Sequence, residues 1–332
     1  MRIDKALVTG GAGFIGSHVV DKLVGERIEV VVLDNLSTGS RRNVHPSAML
    51  VEGDVCDLAL VKKLALDVDV VFHQAARVSI RKSIGEFYED AIVNLLGTLN
   101  VLKAISESRK VKKLIYASSM AVYSEARYLP IREDHPTEPV SPYGIAKLAS
   151  EKYCLQVAQQ HGFDVLILRY FNTFGPRQTL TPYVGVITIF INLALQNRPP
   201  VIFGNGKQTR DFVHVEDVAD ANILAMKSEV GRGIFNIGSG KGTTIAEVAK
   251  MVLERINPAM RPNYAPKQPG EPTDSVADIS RATDVLNFRP KWTLDDKLDE
   301  LINWWKDQPR DLFVTAHMEG FVDSVRARPE VA

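Results

Sequence analysis

Tyr143 and Lys147 stand four residues apart in Ser141-Pro-Tyr-Gly-Ile-Ala-Lys-Leu-Ala-Ser150, and Ser119 lies upstream of them. Pro142 ends whatever precedes it, and Gly144 to Tyr153, rich in Ala, Leu and Lys, reads as a helix. On such a helix the phenol and the ammonium share one face. A free phenol titrates near pH ~10 and is a poor base at neutrality, but a cation held nearby favours the phenolate. A Tyr so placed is a general acid/base able to take a proton from a hydroxyl group. Alone, the five-residue spacing is equally that of an exposed i,i+4 pair. The elements around it decide between the two.

The chain opens on an apolar run, Lys5-Ala-Leu-Val-Thr9, that leads into Gly10-Gly-Ala-Gly13-Phe14-Ile15-Gly16-Ser-His18 and then Val19, Val20 and Leu23 at helical spacing. Strand, glycine-rich turn and helix is the context a dinucleotide fingerprint needs. Gly10 serves the tight turn, Gly13 lets backbone N–H groups approach a pyrophosphate, and Gly16 lets helix and strand pack closely. The next strand, Glu29 to Leu33, ends in Asp34, 18 residues after Gly16. A carboxylate there accepts both hydroxyls of an adenosine ribose and repels a 2′-phosphate. Asn35 and Leu36 follow it without an adjacent Arg, which favours NAD over NADP.

Further strands are predicted at Met49–Glu52, Val68–Phe72, Lys113–Ala117 and Asp164–Tyr170, with a long helix from about Glu86 to Ser108. The positions that follow these strands face the ligand crevice of an open parallel sheet. Asp54 is therefore a candidate for an adenine amino group or else a plain loop Asp, Ala75 permits close approach to a cofactor, and Ser119 presents a hydroxyl. The fold class is α/β, a doubly wound parallel sheet of Rossmann type with a smaller α/β substrate-binding domain. Residues 1–172 form the cofactor domain and 173–308 the second, with a helix near 215–228 packing back on the first. In the second part Val201–Phe203 and Thr209–Val213 read as strands around a hairpin-type turn at Gly204-Asn-Gly206. The tail, 309–332, has no assigned role.

Composition narrows the classes. Forty basic and forty acidic residues cancel over 332 residues, so no electrostatic footprint for nucleic acid or membrane is expected. Cys56 and Cys154 have neither metal-ligand nor redox spacing, and the seven His show no ligand pattern, so no metal is expected. Two scattered cysteines fit a reducing cytoplasm. Met1-Arg-Ile-Asp-Lys runs straight into the first strand, and no signal peptide is expected.

Thr9 to Gly16, Asp34, Ala117-Ser-Ser-Met-Ala-Val-Tyr123, Tyr143-Gly-Ile-Ala-Lys147, Arg169-Tyr-Phe-Asn172, Gly175-Pro-Arg177 and Thr209-Arg-Asp-Phe-Val-His-Val215 occur in this order. Together they resemble the extended short-chain dehydrogenase/reductase family, within it the NAD-dependent nucleotide-sugar epimerases of the UDP-galactose 4-epimerase group, over roughly residues 3 to 306. The resemblance implies an isomerase in which Ser119, Tyr143 and Lys147 are the catalytic trio. It adds Asn35, Val55, Asn94 and Tyr170 to the NAD contacts, and assigns the UDP-sugar to Asn172, Arg210, Glu271 and Ser275. Ser275 stands at the place of a gate over the sugar's 2-substituent, where a small residue leaves room for an N-acetyl group. It also implies a two-fold homodimer through the helix near Asn94–Ser108 and the helix that starts at Tyr143.

Departures from the family pattern refine this. Relatives that dehydrate or decarboxylate commonly carry acidic residues just after the Ser/Thr, whereas Met120 and Ala121 stand here, which points to epimerisation at C4. Thr179 replaces the Arg that holds a sugar carboxylate in uronic-acid enzymes, so a neutral sugar is expected, and Gln268 replaces a second phosphate-binding Arg. The alternatives are an NAD-dependent nucleotide-sugar dehydratase or decarboxylase, and a non-catalytic nucleotide-sugar-binding protein on the same fold.

Overall fold

The computed structural model describes residues 2–123, 125–179, 185–267 and 273–309. Strands and helices alternate through the first half: β1 (Lys5–Thr9), α1 (Phe14–Gly25), β2 (Glu29–Asp34), β3 (Met49–Glu52), α2 (Leu58–Ala65) and β4 (Val70–His73). There follow α3 (Ile80–Gly85), α4 (Phe87–Ala91), a wide π turn at Ile92–Leu96, α5 (Gly97–Glu107), β5 (Lys113–Ser119), α6 (Pro142–His161) and β6 (Asp164–Tyr170). The second half contains β7 (Asn172–Phe174), α7 (Val186–Leu195), β8 (Val201–Phe203), β9 (Thr209–His214), α8 (Val215–Lys227), β10 (Arg232–Ile237) and β11 (Gly242–Thr244). It closes with α9 (Ile245–Ile256), β12 (Asn263–Ala265), β13 (Asp274–Ser275), α10 (Ser280–Leu286) and α11 (Leu294–Lys306).

Seven parallel strands form the central sheet in the order β10-β6-β5-β4-β1-β2-β3. Their near-continuous Val, Ile and Leu runs are those of strands buried on both faces. One face is closed by α1, α8 and α10 through Val19, Leu23, Val218, Ala221 and Leu286. The other is closed by α2, α5 and α6 through Val61, Leu102, Ile105, Cys154 and Ala158. The strand order reverses between β1 and β4, which opens the ligand crevice at the C-terminal strand ends. A second core, built on Phe190, Ile191, Val248, Val252, Leu298 and Trp305, holds α7, α9 and α11 together beside a small sheet of β7, β9, β11 and β13.

Three expectations are corrected. β8 and β9 do not form a hairpin: β8 pairs in parallel with β12, and β9 with β7, β11 and β13. Gly204 and Gly206 both turn left-handed (φ +76 and +74), and the Gly206 carbonyl accepts the Ala246 N–H, which ties the turn to the start of α9. β10, expected with the second domain, pairs with β6 in the central sheet, so the two parts are interleaved beyond the expected return of α8. The helix read from about Glu86 to Ser108 is interrupted at the π turn. There the Asn94 carbonyl accepts Thr98 Oγ1 at 2.8 Å and Ser150 Oγ at 3.0 Å, and such side-chain donors compete with the regular ladder.

Candidate active site

A cavity of about 1080 Å³ lies along the C-terminal ends of the strands, between the central sheet and α7. At one end α1 begins without a side-chain cap, and Phe14, Ile15 and Gly16 line the wall. The first N–H groups of a helix have no intrahelical acceptor and favour an anion. Gly10 turns left-handed (φ +70), and a Cβ on Gly16 would lie 2.1 Å from the Gly10 carbonyl oxygen, so the loop exists only with glycine there. Asp34, nearly buried at the end of β2, accepts the Ala12 N–H at 2.9 Å and the Leu36 N–H at 2.8 Å. Each carboxylate oxygen has a second acceptor site, enough for a ribose diol. Asn35 Nδ2 donates to Asp54 Oδ2 at 2.7 Å. Burial raises the Asp54 carboxyl, but hydrogen bonds from Cys56 and Asn35 outweigh it and leave the group below its ordinary value. Val55 and Ala75 line the same wall. Glycine cradle, carboxylate and small-residue wall together fit an adenine dinucleotide.

At the other end, α6 is started by Ser141, whose Oγ accepts the Gly144 N–H at 3.1 Å, with Pro142 in its first turn. Gly144 brings the helix against the turn after β5: a Cβ there would lie 2.3 Å from the Ala121 carbonyl oxygen. This approach brings the buried Tyr143 phenol to the same stretch of cavity wall as Ser119. Lys147 is buried one turn on. Its Nζ donates to the Ala117 carbonyl at 2.8 Å and lies 6.0 Å from the centre of the Tyr143 ring.

Burial pushes the Tyr143 phenol up to about 12, against the lowering effect of the Ser119 hydrogen bond. Burial also draws Lys147 down to about 8, against the pull of the Asp90 carboxylate. The expected lowering of the phenol by Lys147 does not appear in the protein alone. Burial dominates at both groups, and without cofactor Tyr143 is protonated at neutral pH. His73, held between Thr9 Oγ1 at 2.7 Å and Thr98 Oγ1 at 3.0 Å, is pushed down to about 3 by burial and stays neutral.

The remaining sequence candidates divide. Tyr170 lines the cavity and receives Asn222 Nδ2 on its hydroxyl at 2.8 Å. Asn172 lines it too, and its buried Nδ2 has no partner among the described residues. Arg210 reaches the wall from β9, with Nη1 donating to the Thr209 carbonyl at 2.7 Å. Asn94 is buried behind the wall. Its side chain brackets the Arg77 backbone, with Nδ2 donating to Arg77 O and Oδ1 accepting the Arg77 N–H, both at 3.0 Å. Ser275, beside Arg210 in register on β13, is fully buried and is not among the described residues that line the cavity. Glu271 and Gln268 lie outside the described residues.

The sequence reading missed the stretch from Arg77 to Lys82, which lines the cavity along the loop after β4 and the start of α3. That it follows a strand's C-terminal end was the available signal. Arg198 and Phe203, on the wall from either end of β8, had none.

A phenol and an ammonium facing a dinucleotide crevice are the working parts of an enzyme that moves hydride and proton together, as short-chain dehydrogenases/reductases do. The chain belongs to the NAD dependent epimerase/dehydratase family, whose model matches residues 6–238. It is 33% identical to a UDP-glucose 4-epimerase of Mycolicibacterium smegmatis, over 92% of this chain and 99% of that one. A UDP-glucose 4-epimerase of Thermotoga maritima, solved with UDP-glucose, superposes with a TM-score of 0.87 at 37% identity, covering 91% of this chain and 98% of its own. A UDP-N-acetylglucosamine 4-epimerase of Methanobrevibacter ruminantium, solved with UDP-N-acetylmuramic acid, also gives 0.87, at 36% identity over 93% and 100%.

Proposed function

We propose that the protein is an NAD-dependent isomerase that inverts C4 of a UDP-hexose, interconverting UDP-glucose and UDP-galactose, by transient oxidation to a 4-keto sugar and re-reduction on the opposite face. The observation that carries this is the cavity's inventory of proton-moving groups. Tyr143 and Ser119 meet at one end, and the carboxylates on the described wall, Asp34 and Asp54, belong to the β2 and β3 ends. β5 and β2 are separated by β4 and β1, about 14 Å at ordinary strand spacing. Beside Ser119 the wall continues with Met120 and no acid, so one proton-transfer group serves one carbon. A dehydratase or decarboxylase needs a further acid there.

When bound, NAD supplies a reversible hydride acceptor and, oxidised, a positive charge near the phenol. The chain supplies the rest. The α1 N-terminus and Asp34 hold the adenosine half, with Val55, Ala75 and Tyr170 along the wall. Lys147 holds the nicotinamide-side ribose and adds its charge to the field on the phenol. Tyr143 takes the proton of the 4-hydroxyl and returns it to the same oxygen in the epimer, while Ser119 donates to that oxygen in between. Asn172 and Arg210 anchor the nucleotide diphosphate, so the oxidised sugar turns within the cavity without leaving it. N-acetylated UDP-sugars are within the proposed range, with selection resting on wall residues, since Ser275 is not one of them.

Residues 1–172 with α8 and β10 serve as the cofactor-binding part, and the remainder to 308 as the nucleotide-sugar part. A two-fold homodimer is supported by exposed apolar side chains on α6, as expected, and on α4, which precedes the expected Asn94–Ser108 segment: Ile145 (56%) and Tyr153, with Phe87 (63%) and Tyr88. A cytoplasmic location fits the two unpaired cysteines, and among the described residues no helix is long and apolar enough to cross a membrane.

The test is to mix the purified protein with UDP-galactose, without added cofactor, and follow UDP-glucose, with UDP-GlcNAc in a parallel arm. A dehydrated or decarboxylated product would favour that enzyme class instead. No turnover, with the nucleotide sugar bound, would make the protein a binding module.

A further inference from the structure

Beneath the Ser119–Tyr143 pair runs a buried polar row that the chemistry above does not use. Ser118, Arg169 and Asn236 are neighbours in register on β5, β6 and β10, one residue back from the strand positions that carry Ser119 and Tyr170. Glu151, on α6 one turn beyond Lys147, reaches this row. Its Oε1 accepts Ser118 Oγ at 2.5 Å and Arg169 Nε at 2.9 Å, and its Oε2 accepts Arg169 Nη2 at 2.6 Å. Arg169 Nη1 donates to the Tyr123 hydroxyl at 2.7 Å, which donates to Asn236 Oδ1 at 2.8 Å. Glu151 and Asn236 are fully buried, and Arg169 is 2% exposed.

A buried ion pair is a poor source of stability, because well-packed apolar groups do as well. What a two-point guanidinium–carboxylate fork does impose is position, since both bonds form in only one relative placement of the two elements. Lys147 ties α6 to β5 at a single point, Ala117 O, and beyond Glu151 the helix face against the sheet is small and apolar, with Cys154 and Ala158 on it; such a face resists sliding weakly. The fork joins the parts whose placement matters: the helix bearing Tyr143 and Lys147, the strand end bearing Ser119, and Tyr123, just past the turn that Ser119 caps.

We propose that Glu151 and Arg169 are positioning residues, whose ion pair holds α6 against the end of β5 so that the Tyr143 phenol meets the Ser119 hydroxyl. The kinetic part of this rests on the proposed epimerase reading. Two changes test it in NAD-loaded protein: Ser118→Ala, which removes one bond to Glu151, and the double change Glu151→Leu with Arg169→Met, which replaces the pair by apolar groups. Both should lower kcat about tenfold or more while KM moves less than about threefold. In a Ser119→Ala background Ser118→Ala should cost little further, because it acts through that hydroxyl.

A lower melting temperature with unchanged kcat per folded, NAD-loaded molecule would overturn the proposal, as would additive losses. If the double variant does not fold, the Ser118→Ala arms decide. A readout independent of substrate is the phenol titration of Tyr143, taken as the ultraviolet difference between each protein and its Tyr143→Phe derivative. A looser Ser119 contact should raise the Ser118→Ala midpoint by about half a pH unit or more, and an unmoved midpoint rejects the proposal. Absence of turnover in the unaltered enzyme would instead reject the epimerase reading and leave this titration to decide.

Discussion

Tyr143 and Lys147 were legible as a pair because helical spacing alone puts them on one face; their electrostatics were not, because desolvation depends on what the fold lays over them. Tyr143→Phe keeps the ring and the packing but removes the transferable proton, so NAD content should be normal and kcat should fall by about two orders of magnitude or more. Steady-state rates on protein of matched NAD content check this, and near-normal turnover would sink the assignment.

Lys147 allows a test without substrate. Its folded value, about 8, lies below its ordinary 10.5, so between these pH values the unfolded chain keeps a proton that the folded chain has shed. Stability therefore rises with pH across that window, and the burial cost is present in full below it. Tyr143 works in the opposite sense, stabilising less as pH climbs from 10 towards about 12. In cofactor-free protein, Lys147→Met should flatten the rise in urea midpoint between pH 8 and 10.5. An unchanged slope would show that the ammonium is not desolvated.

The elements were readable where a local rule determined them. The β1–α1–β2 unit follows from glycine spacing and a terminal Asp, and α6 from its cap and proline, running on to an αL Gly162 past the predicted Tyr153. Misreadings occurred where a distant partner decides. Nothing near Val201 indicates that β8 pairs with β12. The π turn depends on Ser150, 56 residues from the carbonyl it takes. Nor does anything near Ser275 indicate that it lies buried beside Arg210, which follows from the pairing of β13 with β9.

Contact between α6 and the turn after β5 leads to the next prediction. Gly144→Ala must push the helix away from Ala121 O and Pro139, whose Cβ would be 2.9 Å from the new methyl group. A displacement of this kind near reacting atoms costs about 10²-fold in rate. The variant should retain NAD, since the α1 end of the cavity is untouched, and lose kcat. Full activity would mean that the Ser119–Tyr143 distance is not set by this approach.

For the whole molecule, the exposed Phe87, Tyr88, Ile145 and Tyr153 predict self-association through α4 and α6. Ile145→Glu combined with Phe87→Glu should give a monomer by light scattering at micromolar protein, where the proposal expects the unaltered chain to be a dimer. A stable monomer before any substitution would remove the proposal. The twofold arrangement is the simplest closure for one self-complementary face.

The place of β10 has a consequence for how the protein is made. The inner strand β6, Val165 to Tyr170, is flanked on one side by β5 but gains its other neighbour only when Arg232–Ile237 is available. Some sixty residues separate the two, which at ordinary rates of translation is several seconds of growth. Through that interval the nascent chain presents a bare, apolar strand edge, the kind that pairs with other chains. The chain is thus most vulnerable to aggregation on the ribosome, and products cut short before residue 232 should need chaperone protection that the finished protein does not.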